Sequence, residues 1–126
     1  MIHGIGTDLV QLSRIASTFQ RFGDRFVHRI LSAEEITEFQ QYTRPKEQYL
    51  SSRWAVKEAT YKALGFREIP FNDIHVLSSF KGYRSPIHIE LCGKAKKAAE
   101  EAGITRSFVS ISHENDMCVA FVLLEK

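Results

Sequence analysis

Between Ile2 and Val10 the chain alternates with the two-residue period of a strand, Gly4, Gly6 and Asp8 sharing one face and Ile5, Thr7 and Leu9 the other. The glycine face lets a second backbone come close, and Asp8 is left at the strand's end beside a face with few side chains to fill it. From Ser13 the period lengthens: Ile15, Phe19, Phe22 and Phe26 recur as the apolar stripe of an amphipathic helix. Arg14, Arg21 and Arg25 fall on a neighbouring stripe, provided Gly23 bends the helix only slightly. Ser32-Ala33-Glu34-Glu35 has the form of a capping box, so a second helix is expected to begin there and run toward Gln41.

The longest helical signal lies between Thr43 and Gly65, with Pro45 in its first turn and Gly65 placed to end it. Leu50, Trp54, Tyr61 and Leu64 form one apolar arc; Ala55, Val56, Ala59 and Ala63 form another on the far side. Ser51, Glu58 and Lys62 sit between the arcs, so the carboxylate and amine are expected to be partly enclosed, and enclosed charge needs a partner. After Pro70 come strands over Ile74–Leu77 and Ile87–Leu91 with a turn over Gly82–Pro86 between them. A helix over Lys94–Ala102 is closed by Gly103, and a hairpin joins Ser107–His113 to Met117–Leu124. Local connections and hairpins predict an α+β fold: a mainly antiparallel sheet packed against helices.

The 126 residues carry no repeat, low-complexity tract or linker, which points to a single domain over 1–126. A domain of this size has little spare interior for a cavity, so a site shared between subunits becomes attractive. Its 17 Lys and Arg against 15 Asp and Glu give a formal charge of +2, which excludes a bulk polycation and makes local clusters the relevant electrostatics. No apolar run approaches the ~20 residues of a membrane span, and the start of the chain lacks the form of a targeting segment. Cys92 and Cys118 do not form a C-x-x-C pair, as suits a reducing, cytoplasmic setting.

Magnesium sites take one or two protein carboxylates and fill the remaining octahedral positions with water and substrate phosphates. Asp8 and Glu58 are the candidate pair, and Lys62, one turn past Glu58, can act as a point charge on a phosphate. Each also has a plainer reading: Asp8 as a helix cap, Glu58 and Lys62 as an ion pair four residues apart, the arginine stripe as a solvated helix face. Phe22 and Phe26 beside the arginines favour docking to an acidic protein, since a protein groove supplies apolar anchors alongside charge. His113 stands at a hairpin tip, and no pair of histidines has zinc spacing.

Three segments taken together carry a family resemblance: Gly4-Ile5-Gly6-Thr7-Asp8-Leu9-Val10, Arg53-Trp54-Ala55-Val56-Lys57-Glu58-Ala59 with Lys62-Ala63-Leu64-Gly65, and Val109-Ser110-Ile111-Ser112-His113. In this order and spacing the chain resembles the holo-[acyl-carrier-protein] synthases, the small class of 4′-phosphopantetheinyl transferases. The resemblance implies Mg-dependent transfer of 4′-phosphopantetheine from coenzyme A to a serine of an apo acyl carrier protein, releasing adenosine 3′,5′-bisphosphate. It implies that Asp8 and Glu58 hold the metal, that Lys62 contacts the coenzyme's phosphates, and that Arg53, Gly65, Pro86 and His113 belong to the coenzyme cleft. It further implies a homotrimer with clefts between subunits, and a first helix that meets the acidic carrier protein; Arg14, which matches the family, Arg21, and Arg25, added from the stripe alone, are expected to be the cationic side of that contact, with Phe22 or Phe26 as anchor. The general base is left between Glu58 and a water on the metal, ahead of His113.

The chain departs from the family pattern at Arg84-Ser85-Pro86, where Gly-Lys-Pro or Gly-Arg-Pro is common, and at Ser51-Ser52, where Ala-Gly is common. The competing functional readings are a non-catalytic basic module for an acidic protein or RNA, and a magnesium phosphohydrolase.

Overall fold

A computed structural model describes residues 1–79 and 86–126, so the expected turn at Gly82–Pro86, with Arg84 and Ser85, lies outside the described residues apart from Pro86. Strand β1 (Ile2–Gln11) feeds directly into α1 (Leu12–Phe22), followed by α2 (Asp24–Ile30), α3 (Ala33–Gln41) and the long α4 (Lys46–Ala63). A 3-10 turn at Phe71–Asp73 leads to β2 (Ile74–Ser78) and β3 (Ile87–Leu91); α5 (Gly93–Glu101), β4 (Arg106–Glu114) and β5 (Met117–Glu125) complete the order. The fold is α+β with every strand pair antiparallel, in two sheets: β1-β5-β4, and β2-β3 apart. Among the described residues no helix is long and apolar enough to cross a membrane.

The first helical stretch differs from expectation. Gly23, at φ 56° and ψ −131°, leaves the helical region altogether, and its missing Cβ lets it do so cheaply. The stretch therefore splits into α1 and α2, so Arg25 stands on a separate helix and not on a continuous stripe with Arg14 and Arg21. The capping box of α3 forms as expected, Glu35 N–H donating to Ser32 Oγ at 3.3 Å and Ser32 N–H to Glu35 Oε1 at 2.8 Å.

The glycine face of β1 lies on α4. A methyl group built on Gly4 or Gly6 would overlap the carbonyl oxygen of Ala63 or Ala59, so only glycine lets strand and helix come this close. Helix α4 thus runs across the inner face of the larger sheet, and Leu50, Ala55, Val56 and Ala59 share one buried cluster with Val122 and Leu124. Asp8 sits within β1, opposite Ala120 of β5, three residues short of the strand's end. Ser51 is fully buried rather than partly enclosed, and its Oγ has no hydrogen-bond partner among the described residues.

The opposite flank of α4 is held by charge. Lys57 and Glu35 form an ion pair of 2.6 Å with both side chains wholly buried. The Lys57 ammonium also donates to the carbonyls of Ile30 and Phe71, at 2.6 and 3.0 Å. Arg53, over the Tyr49 ring, donates to Glu38 Oε1 at 3.2 Å, to Ser52 Oγ at 3.0 Å and to the Val76 carbonyl at 3.2 Å. The second oxygens of Glu35 and Glu38 accept the N–H groups of Val76 and Ser78, at 3.1 and 2.9 Å. Side chains of α3 thereby occupy the edge of β2 that a further strand would otherwise pair with, and β2-β3 remains a two-stranded sheet.

Candidate active site

Because Gly4 and Gly6 seat β1 on α4, Asp8 comes to the last turns of the helix, where Glu58 and Lys62 project. Lys62 Nζ donates to the Thr7 carbonyl at 2.9 Å and stands 3.5 Å from Asp8 Oδ1. Its ion-pair partner is therefore the strand carboxylate, and the plain helix pair with Glu58 gives way to a bridge between elements. Nor does Asp8 cap a helix: the residue preceding α1 is Gln11, whose side chain makes no cap bond.

Both carboxyl groups are pushed above their ordinary range. For Asp8 the main cause is desolvation, opposed by the charge and hydrogen bond of Lys62. For Glu58 it is desolvation and then the negative charge of Asp8, again opposed by Lys62. Two partly desolvated carboxylates that repel each other, one paired with Lys62 and the other feeling it only through its charge, form a donor set short of positive charge. All-oxygen donors of this kind fit a hard dication such as magnesium. Among the described residues no third His, Cys, Asp or Glu joins them to make a closed cage, which leaves the other coordination positions for water or substrate oxygens.

A cleft of about 400 Å³ opens beside Glu58, walled by Tyr61, Ile69, Pro70 and Phe71 and reached by Glu68 and Lys94. The sequence reading missed this cleft. Its only signal was the apolar stretch Ile69-Pro70-Phe71 a few residues past Gly65, and apolar loop residues gain meaning only once the loop is seen to fold back on α4. Lys57 and Glu35 were also missed as a buried pair; Lys57 lies three residues after Trp54 and seven after Leu50, on the first apolar arc, which is the sign that was available.

Among the other candidates, Gly65 ends α4 with φ 87°, its N–H donating to the Lys62 carbonyl at 3.0 Å. The Pro86 carbonyl accepts Ser79 N–H at 2.8 Å. His113 pairs with Cys118 across the β4-β5 hairpin, and partial desolvation together with the charge of Arg53 holds its imidazole below the usual range. Arg53 is only 6% exposed, with its guanidinium engaged as described above. Within one chain and among the described residues, no hydrogen bond or ion pair connects Arg53 or His113 with Asp8, Glu58 or Lys62. Arg14, Arg21 and Arg25 are all exposed. Phe22 is exposed beside Arg21, whereas Phe26 is buried in the core against Trp54 and cannot serve as an anchor.

Comparison with known proteins agrees with this geometry. The family model for the 4′-phosphopantetheinyl transferase superfamily matches residues 4–122. A holo-[acyl-carrier-protein] synthase of Hydrogenovibrio crunogenus is 41% identical over 128 aligned residues, covering 99% of this chain and 98% of its own. The crystal structure of the Neisseria meningitidis holo-[acyl-carrier-protein] synthase superposes with a TM-score of 0.88 at 40% identity, over 100% of both chains. The Helicobacter pylori holo-[acyl-carrier-protein] synthase, solved in complex with coenzyme A, gives a TM-score of 0.80 at 29% identity over 96% of this chain and 99% of that one. A match of this extent, with the motif carboxylates gathered on β1 and α4, means that the chain belongs to the holo-[acyl-carrier-protein] synthases of the 4′-phosphopantetheinyl transferase superfamily.

Proposed function

We propose that residues 1–126 act as one transferase domain that moves 4′-phosphopantetheine from coenzyme A to a serine of an apo acyl carrier protein, with magnesium held by Asp8 and Glu58. The observation that carries this is the cluster of Asp8, Glu58 and Lys62 beside an open cleft, in a chain of this family. When bound, magnesium neutralises charge on the coenzyme's diphosphate. Lys62 adds a point charge on the leaving phosphate, and the cleft walled by Tyr61, Ile69 and Phe71 takes the pantetheine arm, whose gem-dimethyl and methylene groups suit apolar walls. The carrier serine attacks the β-phosphorus, the bridging P–O bond breaks, and adenosine 3′,5′-bisphosphate leaves. Glu58, which lines the cleft, is the carboxylate placed to accept the serine proton. Gly65, Pro86, His113 and Arg53 are assigned to the coenzyme cleft through the motifs in which they stand.

The larger sheet has an outward apolar face: Ile5 (66% exposed), Leu9 (65%), Phe121 (51%) and Phe108 (45%) share the side away from α4. Such a face supports burial against further copies of the chain, and a homotrimer with the coenzyme cleft at the subunit boundary is the assembly we assign to it. Arg14 and Arg21 on α1, with Arg25 on α2 and Phe22 at the bend between them, form the docking surface for the acidic carrier.

Mass spectrometry of an apo acyl carrier protein incubated with the chain, coenzyme A and magnesium tests the assignment. The expected result is a gain of one phosphopantetheine group, abolished in Asp8→Asn. An unmodified carrier, or free phosphopantetheine formed by hydrolysis, would overturn it.

A further inference from the structure

Helix α1 begins without a cap of its own. Gln11 directly follows β1 with no loop, and its side chain makes no hydrogen bond to the first turn. The orphaned donors are met from the far end of the sequence. The Leu12 N–H donates to the Asp116 carbonyl at 2.8 Å, the Ser13 N–H to Asp116 Oδ1 at 3.0 Å, and the Ser13 hydroxyl to Asp116 Oδ2 at 2.6 Å. Asp116 itself is pinned: it lies in the two-residue turn of the β4-β5 hairpin, after Asn115 in the left-handed region at φ 51°, and the next residue, Met117, is in register with Gln11.

Three bonds to one residue thus fix the angle at which β1 becomes α1. Asp8 lies three residues before that junction and Arg14 two residues after Leu12, so the angle sets the reaction centre against the docking surface. Transfer to a protein acceptor requires both at once, since the carrier is gripped by the helix while its serine must reach the diphosphate, and small misplacements of a nucleophile are costly. We infer that Asp116 is a positioning residue, a cap supplied from the far end of the same chain, that orients α1 so that a docked carrier presents its serine to the Asp8 and Glu58 site. This rests on the transferase reading above.

Steady-state kinetics with an apo acyl carrier protein and coenzyme A varied separately, on Asp116→Ala, Asp116→Asn and Ser13→Ala, provide the test. Asp116→Ala should raise the KM for the carrier about fivefold, the equilibrium factor that one lost helix cap carries, and leave the KM for coenzyme A unchanged. Asp116→Asn keeps an acceptor for the Ser13 N–H and should restore most of the loss, while Ser13→Ala, which removes only the hydroxyl bond, should fall between. A purely structural role would lower the melting temperature and leave the two KM values in their wild-type ratio. That result, or equal rises in both KM values, overturns the inference while wild-type transfer keeps the functional assignment standing. A wild-type chain that leaves the carrier unmodified overturns both.

Discussion

Removing either member of the Lys57–Glu35 pair should unfold much of what α4 organises, and by different amounts. Lys57→Met leaves a carboxylate enclosed without a counter-charge, which costs about 3–5 kcal/mol; it also takes the donor from the Ile30 carbonyl, for about 1 kcal/mol more, while the Phe71 carbonyl keeps the Ile74 N–H. Glu35→Leu leaves the ammonium unpaired and also strips the acceptor from the Ser32 and Val76 N–H groups, each adding about 1–3 kcal/mol. It should therefore be the worse of the two single variants. The double variant has no stranded charge but keeps the two orphaned N–H groups and the orphaned Ile30 carbonyl, so it should be more stable than the sum of the single losses by ~2–3 kcal/mol. Against a total stability of about 5–15 kcal/mol, each single loss is a large share. Urea unfolding followed by far-UV circular dichroism, with midpoint and slope fitted for all four chains, measures the cycle. Single variants within about 1 kcal/mol of wild type, or strictly additive losses, would refute the claim that a paired, desolvated charge holds this flank.

Two further outcomes follow from the site and its seat. Asp8 and Glu58 are raised from ordinary values of 3.8 and 4.5, so their contribution favours the fold fully below those values and is lost as pH rises through the elevated ones. At neutral pH the pair is repelling charge that a dication relieves, so MgCl₂ at about 100 times its Kd should add ~2.7 kcal/mol to stability, less in acid and nothing in Asp8→Asn; thermal shifts of equal size in the variant would count against the metal assignment. Gly6→Ala drives a methyl into the Ala59 carbonyl, which belongs to a rigid helix, and should cost about 1–3 kcal/mol or more together with activity, because Asp8 shifts relative to Glu58; a melting temperature and transfer rate matching wild type would contradict this seating.

The parts of the fold that were legible in the sequence are those written by local chemistry. The capping box at Ser32 and Glu35, the Gly65 stop, the hairpin of β4 and β5 and the glycine face of β1 all stand where their patterns put them. Asp8, Glu58 and Lys62 could be chosen as a group because α4 shows two apolar arcs with charge between them and β1 shows a bare face. What was illegible depends on distant partners. Periodicity runs unbroken through Gly23, so the split into α1 and α2, and with it the burial of Phe26, appears only when Phe26 meets Trp54. Lys57 reads as one more charge of a helical repeat until Glu35, 22 residues away, is folded over it. The cap on α1 comes from Asp116, 103 residues from Ser13, and no pattern near Gln11 announces it.

The acid side chains that α3 lays along β2 have a bearing on how the chain behaves before it is fully folded. A strand with free amide hydrogens is a template on which a neighbouring copy can add its own strand, the first step toward fibrous clumping. Glu35 and Glu38 take up two of those amides with anionic groups tethered to a helix. Once α3 has docked, a second copy that approaches this edge finds those two amides already taken, and the contacts that settle the interior also blunt the margin of the sheet.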